Sequence, residues 1–202
     1  MNVGFVHLGC SKNLVDTEMT IGLFKKNNYN IVNNPEDADI IVINTCGFIE
    51  PAKVEAIDTI LEMAEYKKKK CKYLIVMGCL VQRYKDELSK EIPEVDLWIK
   101  YNSYDTIWKQ IEDVIKNDIS IKKQLDFLDR TITTGQNYAY IRIAEGCDNF
   151  CTFCAIPKIR GRYKSRKIED ILEEANKLVN EGYEEIILIA QDTGRFRNGL
   201  IW

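Results

Sequence analysis

The sequence predicts an α/β fold built on a parallel sheet, because short apolar strands alternate with helical segments through its first half. These strands are nearly continuous runs of Val, Ile and Leu, which is typical of strands buried on both faces. A second strand–helix–strand segment follows a stretch without periodicity, so we expect two units within the 202 residues.

The first predicted unit, residues 1–117, contains the elements that carry this alternation. Its predicted strands are Val3–Leu8, Asp39–Thr45 and Tyr73–Met77. Apolar residues at helical spacing, such as Val54, Ile57 and Leu61, predict the helices between and after them. The predicted helices are Leu14–Asn28, Glu50–Lys69, Gln82–Glu91 and Ser103–Asn117.

Residues 118–136 show little periodicity and end in Thr-Ile-Thr-Thr-Gly, so we expect a linker there. The second predicted unit, residues 137–202, opens with the strand Tyr138–Ala144 and a cysteine-containing loop. The helix Ile168–Glu181 and the strand Glu185–Ala190 follow. The chain ends soon after them.

Composition excludes several classes of protein. The net charge of -3 argues against a surface that grips nucleic acid throughout. The longest apolar stretch, Tyr73–Val81, is far shorter than the roughly 20 residues of a membrane span. No basic segment leads into an apolar one at the N-terminus, so we expect a cytoplasmic protein. With one histidine, a Ser-His-Asp triad or a histidine-rich zinc site is not expected.

Seven cysteines are the unusual feature of the chain. In a reducing compartment, thiols at short spacing are more often metal ligands or catalytic groups than disulfides. Cys147, Cys151 and Cys154, the second thiol set, form Cys-x3-Cys-x2-Cys directly after a predicted strand. Three such thiolates suit three irons of a four-iron cluster and leave the fourth iron open. A structural zinc site is the alternative, but zinc needs a fourth ligand and no Cys or His follows Cys154.

Cys10, Cys46 and Cys79, the first thiol set, lie far apart in sequence, but each follows a predicted strand. The carboxyl ends of parallel strands form one binding crevice, so these thiols should converge. Neighbouring glycines permit close backbone approach. The alternative is three small buried residues that happen to end strands. We expect a second cluster here, again with three protein ligands.

The remaining candidates have a structural and a functional interpretation each. Phe153 either packs the cluster loop or forms a wall beside a cofactor adenine. Gln191 and Asp192 follow a strand and are expected to meet the ammonium group of a bound cofactor. The basic stretch Lys158–Lys167 is either a solvated loop or a set of guanidinium groups near a carboxylate or phosphate.

Three further features are expected to be structural rather than functional. The Lys67–Lys70 run is interpreted as a solvated helix end. Cys71 precedes its strand and fits neither thiol set. His7 lies inside a strand and is interpreted as a core or edge residue.

These motifs resemble the radical S-adenosylmethionine methylthiotransferases, from residue 1 to about residue 193. The resemblance rests on both thiol sets, on Gly78-Cys-Leu-Val-Gln-Arg-Tyr84 and on Glu145–Arg166. It implies an N-terminal cluster domain followed by a radical S-adenosylmethionine partial (β/α) barrel, of which this chain carries a truncated start. The family's small C-terminal RNA-binding-type domain does not appear in the sequence.

Two branches of this family differ in substrate, namely an adenosine of transfer RNA or an aspartate of the twelfth small-subunit ribosomal protein. The segments Leu8–Glu18 and Asn44–Ala52 are similar to the ribosomal-protein branch, called RimO-type. The transfer-RNA branch typically has Gln-Met-Asn after the first ligand and an Ala-Val-Arg type sequence after the second, and neither appears here.

The resemblance implies two 4Fe-4S clusters and S-adenosylmethionine as cofactors. The second thiol set would hold the cluster that cleaves S-adenosylmethionine to a radical, which abstracts the β-hydrogen of the aspartate. The first thiol set would hold the cluster that presents a methylated sulfur. The implied partners are the ribosomal protein or the assembled ribosome, and an electron donor such as flavodoxin or ferredoxin.

The predicted barrel contains two strands where the family has about six strand–helix units. We therefore expect a fragment or a truncated reading frame, with no turnover by this chain alone. A different class stays open as an alternative, namely a non-catalytic iron–sulfur or zinc-binding module.

Overall fold

The computed structural model describes residues 1–116, 121–122, 124–196 and 200–201. The chain divides into two compact units, Met1–Arg130 and Thr131–Trp202. Each unit contains a parallel strand pairing of its own. The predicted α/β fold class is therefore confirmed.

Five parallel strands form the sheet of the first unit, in the order β2-β1-β3-β4-β5. The strands are β1 (Asn2–His7), β2 (Asn30–Val32), β3 (Ile40–Thr45), β4 (Tyr73–Gly78) and β5 (Leu97–Ile99). The three predicted strands are β1, β3 and β4, which lie side by side in the middle. The edge strands β2 and β5 have three residues each, too few for a periodic signal, and the sequence does not predict them.

Helices cover both faces of this sheet. They are α1 (Ser11–Lys26), α2 (Glu50–Ala64), α3 (Cys79–Glu91) and α4 (Ile107–Ile115). Successive strand residues point to opposite faces, so Ile41 packs in one core with α2 and α3 while Val42 packs in the other with α1 and α4. In the core that contains Val42, the ring of Phe24 makes edge-to-face contacts with Tyr29 and Trp108, each at 5.3 Å between ring centroids.

Two of the helices begin three residues earlier than the sequence predicts. Helix α1 begins at Ser11 rather than Leu14, and α3 begins at Cys79 rather than Gln82. The first turn of α1 is polar, and that of α3 continues the apolar run of β4, so the apolar pattern does not mark either turn as helical. The difference has a consequence for the thiols, because Cys10 becomes the N-cap of α1 and Cys79 the first residue of α3.

The predicted linker 118–136 differs from the structure, which extends the first unit to Arg130. Residues 118–120 and 123 lie outside the described residues. The Oδ1 atom of Asn27 accepts hydrogen bonds from the backbone N–H groups of Ile121 (2.7 Å) and Lys122 (3.0 Å). Arg130 forms a buried ion pair with Glu18 of α1 at 2.8 Å. Polar contacts rather than periodic apolar ones hold this segment on α1, and for that reason its sequence suggests a linker.

The second unit is built around a parallel pair of strands, β6 (Tyr138–Arg142) and β9 (Glu185–Ile189). The other elements are β7 (Ala144–Glu145), α5 (Ile156–Arg160), β8 (Lys164–Ser165), α6 (Ile168–Asn180) and β10 (Leu200–Ile201). The predicted strand Tyr138–Ala144 is thus interrupted at Ile143. The apolar core of this unit is small: its described part contains one cluster of four buried residues, Ala139, Ile141, Ile143 and Leu178, and Ala144, Ile159 and Tyr163 are buried outside this cluster.

The Lys67–Lys70 run pairs with groups of its own unit. Lys67 contacts Asp96 at 2.7 Å, and Lys69 contacts Glu36 at 2.8 Å. Cys71 is buried, and its thiol donates to the carbonyl of Tyr73 at 3.4 Å. Burial raises the pKa of this thiol, in keeping with a structural role. Across the described residues, no helix is both long and apolar enough to cross a membrane.

His7 should make the stability of the first unit depend on pH. Burial lowers the pKa of His7 below its ordinary value of about 6.5, against an opposing effect of Asp16. The unfolded chain therefore takes up a proton before the folded chain does. Stability is complete above the unfolded pKa and declines as the pH falls through 6.5 towards the folded pKa. Urea denaturation at pH 7.5 and 5.5 checks this.

The variant His7→Gln is the control for this measurement. His7 is the one histidine of the chain, so the variant should remove the pH dependence of the urea midpoint between pH 5.5 and 7.5. Equal pH dependence in both proteins would contradict the assignment.

Substitution Gly22→Ala should detach the segment that ends at Arg130. A Cβ atom at this position would lie 2.0 Å from the backbone oxygen of Asp129, so the segment must move. We expect a loss of about 1–3 kcal/mol in the free energy of unfolding, as for overpacked cores. Limited proteolysis should then cut within residues 117–130. Gly194→Ala, where a Cβ meets only an ordinary contact at 3.5 Å, should cleave like the parent chain. Equal protection of both variants would show that α1 does not hold the segment.

Candidate functional site

The first thiol set lies at the carboxyl ends of strands in the five-stranded sheet. Cys10, Cys46 and Cys79 follow β1, β3 and β4, which are neighbours in the sheet. Because these strands are parallel, their carboxyl ends lie side by side at the same end of the sheet. The structure therefore brings together the three segments that the sequence predicts to converge.

Glycines allow these segments to touch. A Cβ atom at Gly9 would lie 2.9 Å from the Cβ atom of Cys46. A Cβ atom at Gly47 would lie 2.6 Å from the Cα atom of Leu80, next to Cys79. Any larger residue would push the thiol-bearing segments apart, so the two glycines set their separation.

The three thiols differ in exposure. Cys79 is buried, Cys46 is half-buried and Cys10 is exposed. The N-termini of α1 and α3 also lie at this end of the sheet, because Cys10 is the N-cap of α1 and Cys79 is the first residue of α3. Unpaired N–H groups at a helix N-terminus favour negative charge, which suits an anionic group held between the thiols.

The second thiol set lies on the loop between β7 and α5. The N–H group of Cys147 donates to the carbonyl of Gly161 at 3.2 Å, and that of Cys154 donates to the carbonyl of Cys151 at 3.0 Å. Cys147 and Cys154 are half-buried, whereas Cys151 is exposed. The loop is thus fixed at its base and open at its middle cysteine.

Asp148 holds this loop to the segment that follows α5. Its carboxylate accepts hydrogen bonds from the side chain of Arg162 at 2.6 Å and from the backbone N–H of Tyr163 at 3.1 Å. The hydrogen bond from Arg162 is the main cause that lowers the pKa of Asp148, so the carboxyl stays ionised.

A buried carboxylate lies two residues before Cys147. Glu145 accepts from Arg142 at 2.9 Å and lies 3.4 Å from Arg160, and all three side chains are buried. The Nε2 atom of Gln191 donates to the Oε1 atom of Glu145 at 2.5 Å. The structure thus brings Gln191 to the base of the loop, and the buried Oε1 atom of Gln191 has no hydrogen-bond partner among the described residues.

The other two predicted cofactor contacts lie on or beside the same loop. Asp192 accepts a hydrogen bond at 3.0 Å from Asn149, a residue between Cys147 and Cys151. Phe153 is 89% exposed, so its ring does not pack the loop against the rest of the unit. Of its two interpretations, the cofactor contact is the one this exposure leaves open.

The arginines of Lys158–Lys167 bind carboxylates of the protein itself. Arg160, Arg162 and Arg166 contact Glu145, Asp148 and Glu174 respectively. The solvated-loop interpretation is wrong for Arg160 and Arg166, which are buried. The sequence cannot reveal these partners, since the pattern of basic residues does not show which carboxylates fold beside them.

Sequence reasoning misses two side chains near the first thiol set. The Nη1 atom of Arg83 donates to the carbonyl of Gly47 at 2.7 Å, next to Cys46. Asn13 is buried and contacts the Sγ atom of Cys79 at 3.5 Å. A polar residue three positions after Cys10 is the signal that would have identified Asn13.

The donor chemistry of both sets fits iron–sulfur clusters. All seven cysteines are free. Among the residues that the structure describes, no group of three or more His, Cys, Asp or Glu side chains is arranged to hold a metal ion. The fit therefore rests on the type of ligand, since thiolates are the groups that hold such clusters, and on the convergence of the segments that carry them.

Both thiol sets fall within matches to known families. Residues 2–100 match the family described as Uncharacterized protein family UPF0004. Residues 141–197 match the Radical SAM superfamily. The first match contains the first thiol set, and the second match contains the second.

Two curated relatives carry the name ribosomal protein uS12 methylthiotransferase RimO. The relative from Alkaliphilus oremlandii is 63% identical over 196 residues, which cover 97% of this chain and 45% of the relative. The relative from Acetivibrio thermocellus is 53% identical over 203 residues, covering 94% of this chain and 45% of the relative. The chain thus spans a little less than half the length of these relatives.

A solved structure shares the fold at low sequence identity. It is TsrM from Kitasatospora setae, a radical S-adenosylmethionine methyltransferase with tryptophan substrate and a cofactor analogue bound. The TM-score is 0.65 at 10% identity, over 95% of this chain and 48% of that chain. At this identity the likeness concerns the fold alone.

The two matched regions place a UPF0004 region ahead of a radical S-adenosylmethionine region along the chain. Over both regions the chain is similar to RimO-type methylthiotransferases, at 63% and 53% identity to these two relatives.

Substitution Glu145→Gln should weaken the base of the second thiol loop. It removes the charge that Arg142 and Arg160 share in a buried site, a change that typically costs about 3–5 kcal/mol. Hydrogen exchange at the amides of β6 should report a matching loss of protection. Glu173→Gln, an exposed residue of α6, is the matched control and should leave exchange unchanged. Equal protection in both variants would show that the Glu145 charge does not hold the loop.

Proposed function

We propose that this chain is the cluster-binding portion of a methylthiotransferase that modifies the β-carbon of an aspartate in ribosomal protein uS12. The observation that carries the proposal is the pair of thiol sets, each within its own family match. The names of the two relatives support the substrate. The sequences after Cys10 and Cys46 support the same branch, and the transfer-RNA alternative is not favoured.

The proposed substrate explains why such cofactors are needed. The β-carbon of aspartate carries no acidic proton that a side-chain base could remove at neutral pH, so acid–base catalysis alone does not reach it. When bound, two 4Fe-4S clusters and S-adenosylmethionine supply radical cleavage and the transfer of a methylthio group.

The protein's own residues hold and orient these groups in this proposal. The first thiol set would ligate one cluster, and the second thiol set would ligate the other. The exposed positions of Cys10 and Cys151 leave an open side in each set. Gln191 and Asp192 would orient the ammonium group of S-adenosylmethionine, because both reach the loop of the second set. Phe153 would contact the adenine.

The proposed partners are uS12 or the assembled ribosome, and an electron donor such as flavodoxin or ferredoxin. A ribosomal substrate supports a cytoplasmic location. The proposed organisation keeps residues 137–202 as the beginning of a partial barrel, with the first unit as a separate cluster domain.

Metal analysis after anaerobic reconstitution tests the proposal. We expect about eight irons per chain, with labile sulfide, since each thiol set would hold four. Cys46→Ala and Cys151→Ala should each remove about half. Cys71→Ala is the matched control and should leave the iron content intact, because its thiol is buried among apolar residues. Zinc without sulfide would favour the non-catalytic module, and equal iron loss in all three variants would overturn the ligand assignment.

S-adenosylmethionine cleavage by a full-length protein with this sequence separates the roles of the two sets. Cys151→Ala should abolish reductive cleavage, whereas Cys46→Ala should spare cleavage and stop sulfur insertion into uS12. Loss of cleavage in Cys46→Ala, with the spectrum of the cluster on the second thiol set intact, would contradict this division.

A further inference from the structure

One buried asparagine contacts the segments that carry all three thiols of the first set. Asn13 lies in the first turn of α1 and is fully buried. Its Nδ2 atom donates to the carbonyl of Thr45 at 3.0 Å and to that of Leu8 at 3.4 Å. Its Oδ1 atom accepts from the thiol of Cys79 at 3.5 Å.

Each of these contacts lies next to a cysteine of the set. The carbonyl of Thr45 belongs to the peptide group that joins it to Cys46. Leu8 is two residues before Cys10, and the carbonyl of Cys10 accepts from the N–H of Leu14 at 3.0 Å to close the first helical turn. The third contact is with a cysteine itself. A single carboxamide therefore spans the carboxyl ends of β1 and β3 and the start of α3.

The orientation of this carboxamide follows from its partners. Carbonyl oxygens only accept hydrogen bonds, so the NH₂ group of Asn13 must face Thr45 and Leu8 and its oxygen must face Cys79. The backbone carbonyl of Asn13 is also held, because it accepts from the Nδ2 atom of Asn44 at 2.8 Å and the hydroxyl of Thr17 at 3.0 Å.

We propose that Asn13 is a positioning residue, whose side chain fixes the spacing of Cys10, Cys46 and Cys79 before a cluster binds. Residues that orient metal ligands in this way typically change metal affinity 10- to 100-fold when they are lost. The inference rests on the proposed function for the identity of the ligand. The spacing of the thiols is a property of the metal-free chain and is testable without iron.

The first experiment measures alkylation of the metal-free chain by iodoacetamide, followed site by site with mass spectrometry. Asn13→Ser removes the carboxamide that donates to both carbonyls and places no charge beside Cys79. We expect alkylation of Cys79 to accelerate about tenfold, the effect of losing roughly one hydrogen bond's worth of local stability. Cys71, which is buried shortly before β4 in the same unit, should keep its rate and so reports any general loosening.

Asn27→Ser is the matched control for this variant. Asn27 is also buried, as the C-cap residue directly after α1, and its Nδ2 atom donates to the carbonyls of Leu23 and Lys122 at 2.9 and 2.7 Å. It contacts none of the thiol-bearing segments, so the Cys79 to Cys71 rate ratio should stay at the parent value. Asn13→Ala, also uncharged, serves as the second variant if Asn13→Ser does not fold. A parent-like ratio in the folded Asn13 variant would overturn the inference.

The second experiment uses iron and separates this inference from the proposed function. In the Cys151→Ala background, only the first thiol set should hold a cluster after reconstitution. A chelator should then remove iron 10 to 100 times faster from the Asn13→Ser protein than from its parent. If Cys46→Ala retains its iron in this background, the proposed ligand set fails. If Cys46→Ala loses iron while Asn13→Ser releases it at the parent rate, the positioning role alone fails.

Discussion

Parallel pairing of β1, β3 and β4 is the interaction on which the first unit depends. The register pairs Val6 with Ile43 and Ile43 with Val76, so the carboxyl ends of the three strands lie side by side at the same end of the sheet. A shift of one residue in either pairing would turn the buried side chains of a strand to the opposite face. The same shift would move the cysteine that follows the strand away from the other two cysteines of the first thiol set. The hydrogen bonds that pair these strands therefore also determine where the first thiol set lies.

Buried charge is prominent in the second unit. Its described part has a small apolar core, yet it buries Arg142, Arg160 and Arg166. These arginines are tolerated because Glu145 and Glu174 lie beside them in equally buried positions. Buried charges are costly unless they are paired, so this network fixes one arrangement of the polypeptide. Since Glu145 lies two residues before Cys147, the network also holds the base of the second thiol loop.

The sequence predicts what depends on neighbouring residues and misses what depends on distant ones. Strands β3 and β4 are recognisable as apolar runs, and the cysteines that follow strands indicate where the chain turns towards the site. The ion pair between Glu18 and Arg130 joins residues 112 positions apart, and no local pattern marks it. The contacts of Asn13 are of the same kind, because they depend on the sheet being formed first. The sequence therefore reveals the thiols of both sites but not the buried polar contacts that support them.

Both thiol sets combine a buried polar residue near one cysteine with another cysteine that is exposed. In the first unit the buried polar residue is Asn13, near Cys79, and the exposed thiol is Cys10. In the second unit the buried polar residue is Glu145, and the exposed thiol is Cys151. A site that must hold a group in fixed geometry needs ligands whose supports do not move. A site that must also admit a small molecule needs one side open to it. A buried polar residue and an exposed cysteine meet both requirements at once, and this combination is what the two proposed clusters would have in common although the folds around them differ.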